Sequence, residues 1–149
     1  MKIGILSDTH NLLPGPVLEG LTGVDHIIHA GDVCEDWILS ELSHIAPVTA
    51  VLGNNDVLRL PMTARVSLGG LRFLAVHILN SGDARRAIAS EAPDVVVFGH
   101  THVPCNKIIE SVRYFNPGSV RSGRQGHARS FAVVTLENQG FEADFSILS

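Results

Sequence analysis

Residues 2–10 read KIGILSDTH, an apolar run that ends in an Asp-Thr-His triplet. The apolar part has no helical period, which predicts a buried strand over residues 2–7. Two later apolar runs end in a similar way, because 25–30 is followed by Gly-Asp and 94–98 by Gly-His-Thr-His. Short helical stretches separate the early runs, and this alternation predicts βαβ units and a parallel sheet.

The rest of the chain adds hairpins to this pattern. Apolar spacing predicts helices at 16–22, 36–45 and 83–91. The predicted strands are 2–7, 25–30, 48–52, 64–68, 71–76, 94–98, 107–109, 112–115, 131–136 and 141–147. This is a large number of strands for an α/β chain, and two packed mixed β-sheets flanked by helices accommodate them.

Composition narrows the functional classes. The length of 149 residues predicts one domain over 1–149, and a hydrophobic content of 45% excludes intrinsic disorder. The formal net charge of −4 disfavours a general nucleic-acid binder, and no apolar run approaches the ~20 residues that a membrane span needs. Two cysteines make no disulfide framework, so the expected compartment is the cytoplasm. Whether the chain forms a homo-oligomer is left open.

Histidine is unusually frequent, with eight residues against one Trp and one Tyr. Polar clusters that contain Asp, Asn or His begin where five of the predicted strands end. In open α/β sheets the carboxyl ends of the strands deliver such groups to one crevice. The candidate metal-ligating residues are Asp8, His10, Asp32, Asn54, His77, His100 and His102.

The chemistry of these seven donors restricts the metal. Carboxylate, imidazole and amide groups without a thiolate suit Mn²⁺, Ni²⁺, Fe, Zn²⁺ or Mg²⁺, of which Mn²⁺ is our first expectation. Taken singly, Asp8 could cap a turn and Asn54 could stabilise one. Taken together, seven donors would crowd one four-coordinate ion, whereas two ions ~3.5–4 Å apart that share a carboxylate would use them all.

The order of these motifs resembles the calcineurin-like metallophosphoesterase superfamily, and most of all its small bacterial and archaeal phosphodiesterases. The loop Asn116-Pro117-Gly118-Ser119 is typical of that subfamily. The resemblance implies a four-layer α/β/β/α sandwich of two mixed sheets that holds two divalent metal ions. It assigns Asp32 as the bridging ligand. The first ion would take Asp8, His10, Asp32 and His102, and the second would take Asp32, Asn54, His77 and His100.

Two departures from the family pattern stand out. Many members have His after the ligand Asn, to act on the substrate or the leaving group, where this chain has Asn55. A neutral amide can donate a hydrogen bond to a phosphoryl oxygen but cannot deliver a proton at neutral pH. In addition, Ile78 and Leu79 replace the end of a His-Gly-His element that begins at His77.

Other polar residues near the motifs have simpler interpretations. Asp56 is expected to stabilise a turn or support a ligand, and His29 to be a satisfied core residue. Cys34 and Cys105 are expected to be small buried thiols. Surface positions are expected for His26, His44 and His127.

Residues 111–129 contain four arginines, Arg113, Arg121, Arg124 and Arg129, and no acidic residue. One interpretation is a solvated loop. The other is a basic rim that attracts an anionic substrate by its local field. In that case Arg121 or Arg124 binds a phosphate of the substrate.

The leading functional hypothesis is hydrolysis of a small phosphodiester or phosphate ester by a metal-bridging hydroxide at a dinuclear site. Asp32, His10 and Asn55 are the candidate catalytic residues, and Asn55 is also a candidate for substrate binding. His10 or His102 acting through water is the alternative proton donor. The rival hypotheses are a non-catalytic scaffold or binding protein of the same fold and a metal-dependent amidohydrolase, which typically carries His-x-His early in the chain.

Overall fold

A computed structural model describes residues 1–149, which form ten strands and three helices. In chain order the elements are β1 (Lys2–Leu6), α1 (Gly15–Gly20), β2 (His26–His29), α2 (Asp36–Ser43), β3 (Val48–Ala50), β4 (Thr63–Leu68), β5 (Leu71–Val76), α3 (Gly82–Glu91), β6 (Val95–Val97), β7 (Cys105–Ile109), β8 (Val112–Asn116), β9 (Arg129–Glu137) and β10 (Gly140–Leu148). All three predicted helices and ten predicted strands are present, with boundaries that differ from the predicted ones by up to about two residues. None of the helices is long and apolar enough to cross a membrane.

The strands form two mixed five-stranded sheets. The first sheet has the order β10-β9-β1-β2-β3, in which β1, β2 and β3 are parallel and β9 is antiparallel to both of its neighbours, β1 and β10. The second has the order β4-β5-β6-β8-β7, with β5, β6 and β8 parallel and an antiparallel strand at each edge. The expected pair of mixed sheets is confirmed.

One core joins the two sheets, because inward-facing residues of both belong to the same buried cluster. Ile5 of the first sheet and Phe73, Val97 and Phe115 of the second are among them. A second cluster seats α1 and α2 on the outer face of the first sheet, and a third seats α3 on the outer face of the second. The order of layers is therefore α/β/β/α, as the resemblance implies.

The register of the parallel strands positions the polar clusters. In the first sheet Leu6 pairs with His29 and His29 with Ala50, so β1, β2 and β3 end at one edge. In the second sheet Ala75 pairs with Val97, which brings the ends of β5 and β6 together. Ligands bind outside the carboxyl ends of such strands.

Candidate metal centre

The loops that follow five strands bring all seven predicted donors to one site. Asp8 Oδ1 lies 3.3 Å from His102 Nε2 and 3.8 Å from the Nε2 atoms of His10 and His77. The triads Asp8–His10–His102 and Asp8–Asp32–His77 each place their ligand atoms within 4.8 Å of one another. Ligation of metal by these residues stays a prediction, but the structure supplies the proximity that it requires.

Asp32 faces donors of both predicted ions. Its Oδ2 lies 3.3 Å from His10 Nε2 and 3.5 Å from His77 Nε2. Asn54 completes the cluster, since its Oδ1 lies 2.9 Å from His77 Nε2 and 3.2 Å from His100 Nδ1. A central carboxylate between two sets of nitrogen and oxygen donors is the arrangement expected of a bridging ligand.

The hydrogen bonds of two histidines leave ring lone pairs that face the centre of the cluster. His102 Nδ1 lies 2.8 Å from the carbonyl of Ser122, and His77 Nδ1 lies 2.7 Å from the carbonyl of Ala30. A carbonyl only accepts, so both rings donate from Nδ1 and, when neutral, present the Nε2 lone pair to the site. These lone pairs face carboxylate oxygens, which are also acceptors. Only a proton or a metal ion between such atoms makes the contact favourable.

Two buried atoms in the cluster have no hydrogen-bond partner, namely Asp8 Oδ1 and His10 Nε2. Unsatisfied buried polar atoms are rare in folded proteins because each loses its hydration. Both atoms point at the other donors of the site. The residues present therefore fit a divalent cation.

The carboxylates are held ionised. Burial alone would raise the pKa of Asp8, but its contacts with His102, Ser7 and His77 outweigh burial and keep the pKa below its ordinary value. Burial would also raise the pKa of Asp32, but His77 together with two N–H groups of Asn55 holds that pKa far below its ordinary value. Burial lowers the pKa of His77, but Asp32, Asp8 and the Ala30 carbonyl raise it more. The site thus attracts positive charge.

Backbone strain marks the same residues. Asp8, His10, Asp32, His100 and His102 all have positive φ, between 43° and 69°. Non-glycine residues seldom adopt this left-handed region, and such strain costs about 1–3 kcal/mol per residue and concentrates at functional sites. The sequence predicts that these residues follow strands, but it does not predict the sharp turns that direct their side chains to a common centre.

Two glycines allow the loops to approach closely. A methyl group at Gly53 would overlap the backbone nitrogen and Oδ1 of Asp32, and one at Gly99 would overlap Ser7 Oγ. Each glycine stands directly before a candidate ligand, Asn54 or His100. The absence of a side chain at these positions therefore lets one ligand loop pack against another.

Asn55 and Asp56 connect the loop after β3 to the loop after β2. The backbone N–H and the side-chain Nδ2 of Asn55 donate to Oδ1 and Oδ2 of Asp32, both at 2.9 Å. The carboxylate of Asp56 accepts from the N–H groups of Cys34 at 2.7 Å and Gly53 at 2.9 Å. Asn55 thus orients the central carboxylate, a role that the sequence did not reveal, and Asp56 stabilises the turn as expected.

The Asn116–Ser119 loop lies against the site as a structural connection. Ser119 Oγ donates to the carbonyl of Asp8 at 3.1 Å, and Asn116 Nδ2 donates to the carbonyl of Gly99 at 3.2 Å. All four residues of the loop are buried. The loop therefore ties the segment after β8 to the ligand loops after β1 and β6.

A polar cavity of about 390 Å³ opens over the donors, and none of its lining residues is hydrophobic. Arg121 and Arg124 line it, whereas the other two arginines of the basic run are used elsewhere. Arg113 packs over the ring of Phe141 at 4.3 Å, and Arg129 donates to backbone carbonyls. The structure thus separates two cavity arginines from two structural ones.

The remaining histidines and cysteines lie outside the donor cluster. His44 and His127 are exposed as expected, but His26 is half-buried, because its Nε2 lies 2.8 Å from Thr49 Oγ1 on the neighbouring strand. Both thiols, Cys34 and Cys105, are half-buried rather than buried. Cys34 Sγ lies 4.0 Å from His10 Nδ1, at the margin of the site.

His29 is fully buried beneath the site and satisfied, as expected. Its Nδ1 accepts from the N–H of Gly31 at 3.1 Å, so Nε2 carries the proton and donates to Thr9 Oγ1, also at 3.1 Å. Burial lowers the pKa of His29 to about 4. The neutral ring therefore joins the loops after β1 and β2.

This burial predicts a pH-dependent stability. In the unfolded chain His29 has a pKa of ~6.5 and binds a proton below that pH. In the folded chain its pKa is about 4, so the ring stays neutral down to that pH. The contribution of His29 is thus complete above pH ~6.5 and lost as the pH falls, by about 3 kcal/mol at pH 4. Denaturant unfolding of chelator-treated protein should show this loss, and His29→Gln should remove it. Parallel pH profiles of the two forms would contradict the assignment.

Comparisons with known proteins agree with this geometry. A family model, the calcineurin-like phosphoesterase superfamily domain, matches residues 1–139. A probable metallophosphoesterase of Methanocaldococcus jannaschii is 36% identical over 130 residues, which cover 80% of this chain and 68% of that protein. A phosphodiesterase of the same archaeon is 31% identical over 138 residues, which cover 79% of this chain and 83% of that phosphodiesterase.

Solved structures show the same fold. A structure described as a novel archaeal phosphodiesterase has a TM-score of 0.83 and 28% identity, with 99% of this chain and 100% of that chain covered. Vacuolar Protein Sorting 29 from Cryptosporidium parvum has a TM-score of 0.73 at 17% identity, with 99% and 97% covered, and this likeness shows the fold alone. The family match and the two archaeal relatives above 30% identity show that the chain belongs to the calcineurin-like phosphoesterase superfamily.

Proposed function

We propose that this member of the superfamily is a metal-dependent hydrolase of phosphodiesters with a dinuclear metal centre. The observation that carries the proposal is the seven-donor cluster, in which buried Asp8 Oδ1 and His10 Nε2 have no partner and the His77 and His102 lone pairs face acceptors. The phosphodiesterase names of its relatives support the substrate class.

The donors divide into two sets around Asp32. Asp8, His10, Asp32 and His102 would hold one ion, and Asp32, Asn54, His77 and His100 would hold the other, with Mn²⁺ as the first candidate. When bound, such ions acidify a water molecule and neutralise charge on the phosphoryl oxygens. Phosphoryl transfer needs mainly positioning and charge stabilisation, so no nucleophilic side chain is required.

The chain's own residues orient the reaction. The carbonyls of Ala30 and Ser122 fix the tautomers of His77 and His102, and Asn55 fixes both oxygens of Asp32. Arg121 and Arg124 line the cavity and are placed to bind the anionic substrate. One core shared by both sheets supports a single domain, and the free thiols are compatible with the cytoplasm.

The proposal is tested by metal reconstitution. Protein stripped with chelator and reloaded separately with Mn²⁺, Ni²⁺, Zn²⁺ or Mg²⁺ is assayed with a nitrophenyl phosphodiester and the matching monoester. We expect metal-dependent hydrolysis with preference for the diester. Full metal loading without hydrolysis of any ester would contradict the proposal and favour a non-catalytic scaffold.

The cavity arginines are expected to act on substrate binding. Arg121→Ala or Arg124→Ala should raise KM for an anionic diester about tenfold at low ionic strength, because each removes a charge-assisted hydrogen bond. The effect should shrink as salt screens the exposed guanidinium groups. Arg113→Ala is the matched control from the same basic run and should leave KM unchanged. If both cavity variants match the parent, the rim is only a solvated loop.

With Asn55 at this position, we expect that no strong acid is available to protonate the leaving group. Its amide donates to Asp32 and cannot deliver a proton, whereas general acid catalysis commonly contributes ~10²–10⁴-fold. The rate should therefore depend steeply on leaving-group pKa, and Asn55→His should flatten that dependence. The measurement is a series of aryl and alkyl phosphodiesters on both forms at matched metal occupancy. A flat parent series would instead favour His10 or His102 acting through water.

A further inference from the structure

A second cavity adjoins the polar one. Its volume is about 260 Å³, and Asn54 lines both cavities. Arg121 and Arg124 line the polar cavity but not the second one. The residues that line the second cavity include Leu52, Met62 and Ile78, together with Asp56, His77 and Ser81.

The two cavities differ in chemistry. The polar cavity has no hydrophobic lining residue, whereas Leu52, Met62 and Ile78 provide an apolar wall to the second. Met62 is 51% exposed, which is a large exposure for an apolar side chain. An apolar surface of this kind, open beside a set of candidate metal ligands, is suited to bind an apolar part of a ligand.

Two polar side chains of the second cavity already accept hydrogen bonds from the backbone. The Asp56 carboxylate accepts from the N–H groups of Gly53 and Cys34. Ser81 Oγ accepts from the N–H of Ala84 at the start of α3. No arginine or lysine lines this cavity, and Asp56 is its only carboxyl side chain, so an anionic substituent finds no guanidinium or ammonium partner there.

We propose that this second cavity is a subsite for an uncharged, apolar ester group of the substrate. The inference rests on the proposed function and makes it more specific: the favoured substrates are asymmetric phosphodiesters with an aryl or alkyl group on one side. With the phosphate at the donors, that group extends past Asn54 and packs against Met62 and Ile78. Any charged or polar remainder of the substrate extends towards Arg121 and Arg124.

The size of the cavity is sufficient for such a group. An apolar cavity of about 150 Å³ already admits benzene, so about 260 Å³ accommodates a substituted ring or a short alkyl chain. Ile78 directly follows the candidate ligand His77, so its side chain contributes to the wall next to the reacting phosphate. Ile78 and Met62 are therefore the residues that determine specificity for this ester group.

Calorimetric titration of Mn²⁺-loaded protein with phosphonate monoesters tests the proposal without requiring turnover. The probes are methyl, butyl, phenyl and carboxymethyl esters of methylphosphonic acid. We expect the phenyl ester to bind at least tenfold more tightly than the methyl ester, with the butyl ester between them. The affinity of the carboxymethyl ester should not depend on Met62 or Ile78, because its charged group extends towards Arg121 and Arg124 instead.

Variants then locate the effect. Met62→Ser and Ile78→Ser should each reduce the phenyl-to-methyl ratio of affinities about threefold or more. Val57→Ser is the matched control, because Val57 is 93% exposed on the same loop as Met62 and does not line the cavity. A ratio measured within each variant is insensitive to changes in metal loading next to His77.

The outcomes separate this inference from the proposed function. Equal affinities for the methyl and phenyl esters, or no binding of any phosphonate, would overturn the subsite, as would an unchanged ratio in both serine variants. The proposed function is tested by a different measurement, and it is contradicted if metal-loaded protein hydrolyses no phosphodiester.

Discussion

Replacement of Asp32 by alanine is expected to lower turnover of a phosphodiester by at least ~10³-fold, the upper end of what loss of one electrostatic group costs. The reason is position, because Asp32 Oδ2 lies within 3.5 Å of both His10 and His77. His77→Ala should be less severe, since His77 belongs to only one of the two proposed ligand sets. Steady-state kinetics and metal content per chain are the measurements.

The comparison of these two variants is its own control. Asp32→Ala should retain less than one metal ion per chain, and His77→Ala about one. Circular dichroism should show that both variants keep the parent's secondary structure. Comparable losses of turnover and of metal in the two variants would contradict the assignment of Asp32 as the shared ligand.

Gly53→Ala is expected to disturb the site without removing any donor. The added methyl group would overlap the backbone nitrogen and carboxylate of Asp32, so one ligand loop must move away from the other. Displacement of a catalytic group by ~1 Å costs about 10²-fold in rate. Overpacking of this kind also destabilises a fold by about 1–3 kcal/mol. Turnover, metal affinity and the denaturation midpoint should all fall.

Gly15→Ala is the matched control for this change. Gly15 lies at the start of α1, and a methyl group there meets no atom within 4 Å. It should leave turnover and metal affinity at the parent's values. If Gly53→Ala behaves as Gly15→Ala does, the close approach of Gly53 to Asp32 has no role in positioning the carboxylate.

The sequence predicted the elements well because their signals are local. The apolar run of β1 and the Gly69-Gly70 turn between β4 and β5 depend only on neighbouring residues. The ends of the helices and strands were predicted less accurately than their positions along the chain. The strand predicted over 48–52 ends at Ala50, because Leu52 already donates its N–H to the carbonyl of Pro61 outside the sheet. Such long-range contacts leave no local pattern.

The same distinction holds for the site. The proximity of the seven candidate donors was predictable because each follows a strand, and parallel strands end at one edge of a sheet. The roles of individual atoms were not. Asn is a common residue in turns, yet the backbone N–H and the side-chain Nδ2 of Asn55 both donate to Asp32, 23 positions away. The division of the four arginines and the apolar wall at Ile78 likewise depend on which segments fold together.

A crystal structure of Mn²⁺-loaded protein with anomalous scattering is the most direct test for a pair of metal ions bridged by Asp32. We expect two anomalous peaks per chain ~3.5–4 Å apart. Asp32 should contact both peaks, with Asp8, His10 and His102 on one and Asn54, His77 and His100 on the other. A single peak in fully loaded protein, or two peaks of which Asp32 contacts neither, would contradict it.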